Sequence, residues 1–243
     1  MDILGVKIDN LGRSEILNRI SGFLSENKFH QIATVNPEFI LTAEKNPEFK
    51  KILNNCDLNI ADGIGIWFAF LRFGKYLKSR IAGADLMLEI LKLANDRGLN
   101  IFLACRRDGL SSFEEIRDAI HKIYPKLNIG GANLSCHSER SEESQRSFAN
   151  AQDDKNDSKI VFVNFGAPHQ EIFINSVKND NIKLAMGVGG SFDFLTGKIK
   201  RAPKFLRCIG LEWLWRLLQE PKRFRRIFSA VIVFPILSLT RRK

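Results

Sequence analysis

Metal-ligating and redox residues are scarce in this chain and poorly spaced for either task. Its four histidines, at 30, 121, 137 and 169, form no H-x-x-x-H or H-E-x-x-H pair, and its four cysteines, at 56, 105, 136 and 208, form no C-x-x-C. A zinc ribbon, a helical zinc site and a redox dithiol are all without support, and unpaired thiols fit a reducing compartment such as the cytoplasm. The body also lacks an Asp-x-Asp pair, and the close aspartates Asp153, Asp154 and Asp157 sit in a polar stretch away from any strand. A diphosphate handled here would be neutralised by arginine, with no metal and no cofactor.

Long apolar runs are missing as well. The opening "MDILGVKIDN" has neither a basic nor an apolar leader segment, so no signal peptide is expected. The run from Ile227 to Leu239 spans 13 residues and contains Pro235, short of the roughly 20 residues a membrane-spanning helix needs. Net positive charge is absent from most of the chain. Residues 198–243 hold 13 Lys or Arg against two Glu, a surplus of 11 in a total of +10, so the first 197 residues sum to −1. A nucleic-acid binder would carry basic residues on its body, so nucleic acid is not an expected partner. A near-neutral body with a cationic docking element fits better.

What is present is a regular alternation. With 243 residues and 44% hydrophobic content the chain can bury a full core. Short β-rich runs ("ILGVKID", "HQIATVN", "DLNIA", "NIFLAC", "KLNIGG", "KIVFVNFG", "IKLAMGVGG") alternate with amphipathic segments such as "EILNRISGFLSE" and "DLMLEILKLANDRG". That pattern predicts an α/β fold with a Rossmann-like, mainly parallel sheet flanked by helices, and ligands beyond the carboxyl ends of its strands. The expected division is a catalytic domain over 1–197 and a basic, aromatic, helical membrane-docking appendage over 198–243. Residues 135–158 contain six Ser and no Val, Ile or Leu, and are expected to be an exposed, disordered insertion. Cys136 and His137 inside it lack the third group that would orient a catalytic pair.

Candidate chemistry gathers at strand ends. In "ATVNPEF", Thr34 and Asn36 leave a strand, and Asn36 is a natural N-cap before Pro37. In "LNIADGIGI", Asp62 stands at a strand tip, suited to a structural cap or, with burial to raise its pKa, to a general base. Arg80 in "KSRIAGADL" offers a bidentate fork for phosphate or an ion pair, and Asp85 could brace the next helix. Gln170 in "VNFGAPHQE" can donate and accept. Gly187, Gly189 and Gly190 in "MGVGGSFDF" allow close backbone approach, beside Asp193. In "GLEWLWRLLQEPKRFRR", Arg216, Arg223 and Arg226 share one flank, Pro221 divides two helices, and Trp213, Trp215, Phe224 and Phe228 suit a membrane interface.

Taken in order, "TVNPEF", "ADGIGI", "RIAGADL", "GAPHQE", "GVGGSFDFLTGKIKRAPKF" and "GLEWLWRLLQEPKRFRR" resemble the WecG/TagA/CpsF glycosyltransferases, glycosyltransferase family 26. The resemblance implies an inverting, metal-independent transfer of an N-acetylmannosamine-type sugar from a UDP-sugar donor to a polyprenyl-diphosphate-linked N-acetylglucosamine acceptor, peripherally on the inner face of the cytoplasmic membrane. It casts Asp62 as the general base and Thr34, Asn36, Arg80 and Gln170 as pocket residues. Arg216, Arg223 and Arg226 become ligands of a diphosphate, while Gly187, Gly189, Gly190 and Asp193 are expected on the donor side. The alternative is a catalytically impaired, membrane-associated nucleotide-binding protein. A homo-oligomer stays open, because loss of the appendage would bare an apolar surface.

Overall fold

The computed structural model describes residues 1–135, 145, 146, 148 and 159–240. Its centre is a six-stranded sheet built from β3 (His30–Val35), β4 (Leu58–Ala61), β5 (Ile101–Arg106), β6 (Ile129–Leu134), β7 (Ile160–Val163) and β8 (Leu184–Gly187), in the order β4-β3-β8-β7-β5-β6. Every pairing in it is parallel, so all carboxyl ends lie along one edge, and the fold is the α/β sheet that the alternation predicts.

Period-two patterning builds two core layers. Ile160 and Phe162 of β7 pack with Ile32, Leu184 and Met186 against the helices Arg13–Phe23, Gly83–Arg97 and Phe113–Ile123. Val161 and Val163 face the other side, where they join Phe173 and Ile174. Ala33 and Val35 of β3 meet the helices Pro37–Lys45, Pro47–Asn55 and Ile64–Arg72 on that same side. Helix starts follow their capping residues. Asn36 and Asn46 each accept a backbone N–H at the third residue of a helix whose first residue is proline, and Ser112 with Glu115 forms a capping box.

Two expectations need correction. The run "ILGVKID" is not one strand but a hairpin of β1 (Asp2–Ile3) and β2 (Val6–Lys7). Leu4 and Gly5 turn it, with φ of 52° and 79°, the left-handed pair a tight hairpin requires. The stretch 135–158 is not exposed throughout: Phe148 is 2% exposed and meets Phe102 and Phe173 edge-on at 4.7 and 5.7 Å. Cys136, His137, Asp153, Asp154 and Asp157 lie outside the described residues.

Beyond Gly187 the chain runs back over the strand tips through the helices Lys204–Cys208 and Glu212–Gln219, a 3₁₀ turn at Pro221–Arg223, and a run of Phe224–Phe228, a π segment Ser229–Val233 and Phe234–Thr240. Pro221 does divide two helices. Pro235, lacking an N–H, is the second residue of the helix that follows the π segment, within the first turn, where a missing N–H is tolerated. This last run packs on the helices Pro37–Lys45 and Ile64–Arg72 and buries Phe234 and Ser238. Among the described residues no helix is long and apolar enough to cross a membrane.

Candidate functional site

The register of β3 and β4 sets Val35 beside Ala61, so the next residues, Asn36 and Asp62, leave adjacent strand tips together. The Asp62 N–H donates to the Val35 carbonyl at 2.9 Å, and its Oδ2 accepts from the Gly83 N–H at 3.5 Å. Glycine eases this approach, because a Cβ at position 83 would stand 3.0 Å from Thr34 Oγ1, a tight contact. Burial pushes the Asp62 carboxyl up to about 6, assisted by the negative charge of Glu212 and opposed by the Gly83 N–H, Arg80 and the Gly63 N–H. A carboxylate so placed is ionised at neutral pH yet more basic than an ordinary aspartate. Asn36 Oδ1 caps Phe39 at 3.1 Å, and Thr34 is buried beside it.

The facing wall comes from the ends of β7 and β8. Gln170 Oε1 accepts from the Gly166 and Gly189 N–H groups at 3.0 and 3.1 Å, and its Nε2 donates to Glu171 Oε1 at 2.7 Å. Its amide therefore brackets two loops from within. A Cβ on Gly187 would fall 2.3 Å from Gln170 Nε2, and one on Gly190 would fall 2.2 Å from Arg216 Nη2; these glycines make room for side chains. Burial raises Glu171 to about 8, so at neutral pH it keeps its proton. Asp193 Oδ1 accepts from Ser111 Oγ at 2.8 Å, and its carboxyl is raised, chiefly by burial.

The residues after 198 close the third side. Arg216 and Arg223 share Glu220 Oε2, their Nε atoms at 2.9 and 3.0 Å, and Arg216 also lies over the Phe194 ring at 5.2 Å. Burial, reinforced by repulsion from Arg216, lowers the Arg223 pKa despite the Glu220 contact. Two guanidiniums on one carboxylate leave excess positive charge turned toward the cleft. Arg226 pairs with Glu38. Arg80 Nη2 donates to the Arg207 and Cys208 carbonyls at 2.9 and 3.5 Å, so in this state Arg80 holds the end of an appendage helix. Asp85 binds Arg201 at 2.7 Å and Arg207 at 3.7 Å, while Arg201 Nε reaches Glu212 at 3.6 Å.

All twelve residues singled out from the sequence line one cleft of about 2050 Å³. Sequence reasoning missed Glu171, Arg201, Arg207, Glu212 and Glu220. Only Glu220 had a readable sign, four residues after Arg216 and three before Arg223. Of the aromatics expected at a membrane, Trp215 instead donates its indole N–H to the Lys200 carbonyl at 2.9 Å, and Trp213 lines the cleft. Both rings are half-buried, and no residue of the helix Glu212–Gln219 is fully covered.

A cleft at the tips of a parallel sheet, with a basic carboxylate at its floor and arginines across its mouth, has the layout of an enzyme that transfers a group from a phosphate-bearing donor. The chain belongs to the glycosyl transferase WecG/TagA/CpsF family, whose model matches residues 1–243. Among curated relatives, the "N-acetylglucosaminyldiphosphoundecaprenol N-acetyl-beta-D-mannosaminyltransferase" of Bacillus spizizenii (strain ATCC 23059 / NRRL B-14472 / W23) is 34% identical over 210 residues, which cover 85% of this chain and 78% of the relative. The protein of the same description from Bacillus subtilis (strain 168) is 34% identical over 200 residues, covering 82% and 75%.

Proposed function

We propose that this protein transfers an N-acetylmannosamine-type sugar from UDP to undecaprenyl-diphosphate-linked N-acetylglucosamine, with inversion and without a metal. The observation that carries the reading is that Asp62 and the three arginines Arg216, Arg223 and Arg226 line the same cleft. In the reaction an acceptor hydroxyl attacks the anomeric carbon of the donor and passes its proton to Asp62. The bond from that carbon to the UDP oxygen breaks as the new glycosidic bond forms, and its electron pair leaves with the diphosphate. Arg216 and Arg223 are placed to offset the charge that develops there. The relatives' printed names supply the acceptor and the sugar; the UDP carrier is our inference.

The outer face of the last helical run supports membrane association as part of this reading. Phe224, Phe228, Ile232, Ile236 and Leu239 are 44–59% exposed and recur every three or four residues, while Phe234 and Ser238 face inward. A helix apolar on both sides needs cover on both. We assign the outer cover to the inner leaflet of the cytoplasmic membrane, with Lys222 and Arg225 adding about 1 kcal/mol each near anionic lipid.

The test is incubation with UDP-N-acetylmannosamine, its uronic acid and UDP-N-acetylglucosamine against a lipid-diphosphate N-acetylglucosamine acceptor. Transfer from one of the first two is expected. Asp62→Asn should cut turnover by about 10²- to 10⁴-fold; near-normal transfer by that variant would reject the base assignment. Tight UDP binding with no transfer from any donor would reject the transferase reading.

A further inference from the structure

The cleft is larger than its polar chemistry needs. Small-molecule sites usually occupy about 300–1,000 Å³, whereas this cleft measures about 2050 Å³. Its lining includes an apolar arm contributed by the helix Ile64–Arg72 and by the C-terminal run. Ile64, Trp67 and Phe68 form one bank, and Ile227, Ala230 and Val231 the other. Neither bank carries a charge between Ile64 and Leu71 or between Ile227 and Thr240.

The arm is shaped by its backbone. A Cβ on Gly65 would fall 2.5 Å from Pro37 Cγ, and one on Gly210 would fall 2.7 Å from Ile64 Cβ, so two glycines let Pro37 and the turn at Gly210 pack close against the helix that forms the first bank. The π segment Ser229–Val233 presents Ala230 and Val231 to the arm, and π turns often mark functional positions in helices. Its inner end adjoins Asn36, Asp62 and the Arg226–Glu38 pair. At its outer end Phe68 and Leu239 are 56% and 58% exposed, beside the apolar stripe.

Resting on the proposed acceptor, which joins a diphosphate to an apolar chain, we propose that this arm binds the proximal isoprene units of the acceptor lipid. The enzyme then recognises its acceptor by chain as well as by sugar. A trough that starts at arginines and ends at an exposed apolar stripe matches that ligand in order: charge, chain, bilayer.

The experiment uses the full chain in detergent-free solution, with two soluble acceptors that share an N-acetylglucosamine-diphosphate head and carry either a methyl group or a three-isoprene tail. Binding is read without donor by tryptophan fluorescence, and transfer by KM and kcat. At least a ten-fold preference for the isoprenoid acceptor is expected, expressed in Kd and KM. Ala230→Trp, which fills the arm, should bring that preference close to one; Ala230→Leu gives a second reading if the larger variant folds poorly. Equal binding of both acceptors by the unaltered protein overturns the proposal. So does an undiminished preference in folded Ala230→Trp, including the case where only vesicle binding falls, which would assign the arm to bilayer acyl chains. Tail-dependent binding without transfer from any UDP-sugar supports the arm and counts against the transferase reading instead.

Discussion

Asp62 owes its basicity first to burial and then to the negative charge of Glu212, far off in sequence, while the Gly83 N–H, Arg80 and the Gly63 N–H lower its pKa. The charge state has a stability consequence. Between the ordinary aspartate value of 3.8 and about 6 the unfolded chain releases this proton and the folded one keeps it, so stability falls as pH rises through that window. Asp62→Asn removes the loss, and its melting temperature should exceed that of the unaltered protein at pH 7 but not at pH 3. For activity the sign is opposite: the base works when ionised, so kcat/KM should rise with pH to a plateau through about pH 6. Glu212→Gln takes away a raising charge and should move that acid limb to lower pH, with a lower plateau because a weaker base accepts the proton less readily. An unmoved limb would leave Glu212 only as the partner of Arg201. Every candidate residue was legible from its place at a strand end or in the basic segment. The partners were not: nothing within 50 residues of Asp62 announces Glu212, and Gln170 reads as a ligand-facing amide although its oxygen holds the Gly166 and Gly189 loops.

At the scale of elements, strand and helix alternation was legible because β7 and its neighbours bury both faces while the helices bury one. Turn chemistry decided the N-terminal difference, since Leu4 and Gly5 take positive φ and split one apolar run into a hairpin. Phe148 escaped notice for the converse reason: composition averaged over a polar stretch hides a single anchoring ring. In the last helical run the inward positions Phe234 and Ser238 are settled by packing, and the outward positions are free. Phe228→Glu combined with Ile232→Glu changes only exposed side chains, so melting should be nearly unaffected while binding to anionic vesicles falls several-fold. Retained vesicle affinity would rule out this stripe as the membrane face.

The whole molecule separates its charge from its fold. The first 197 residues are nearly neutral and the remainder holds the surplus of 11, so in the proposed docking, attraction to an anionic leaflet would act on that segment and orient the cleft. Surface attraction of this kind decays within a Debye length, about 10 Å at 0.1 M salt and 3 Å at 1 M. Vesicle association should therefore weaken markedly across that range and level off at a floor set by the apolar stripe; salt-independent binding would show that the basic residues have no part in docking.

The six strands of the sheet are complete by Gly187, whereas Arg216, Arg223 and Arg226 come later in the chain. The strands that carry Asp62 are thus synthesised before the guanidiniums opposite. On the proposed mechanism, a premature stop after the sheet would leave Asp62 and Arg80 without the three arginines that offset the departing diphosphate.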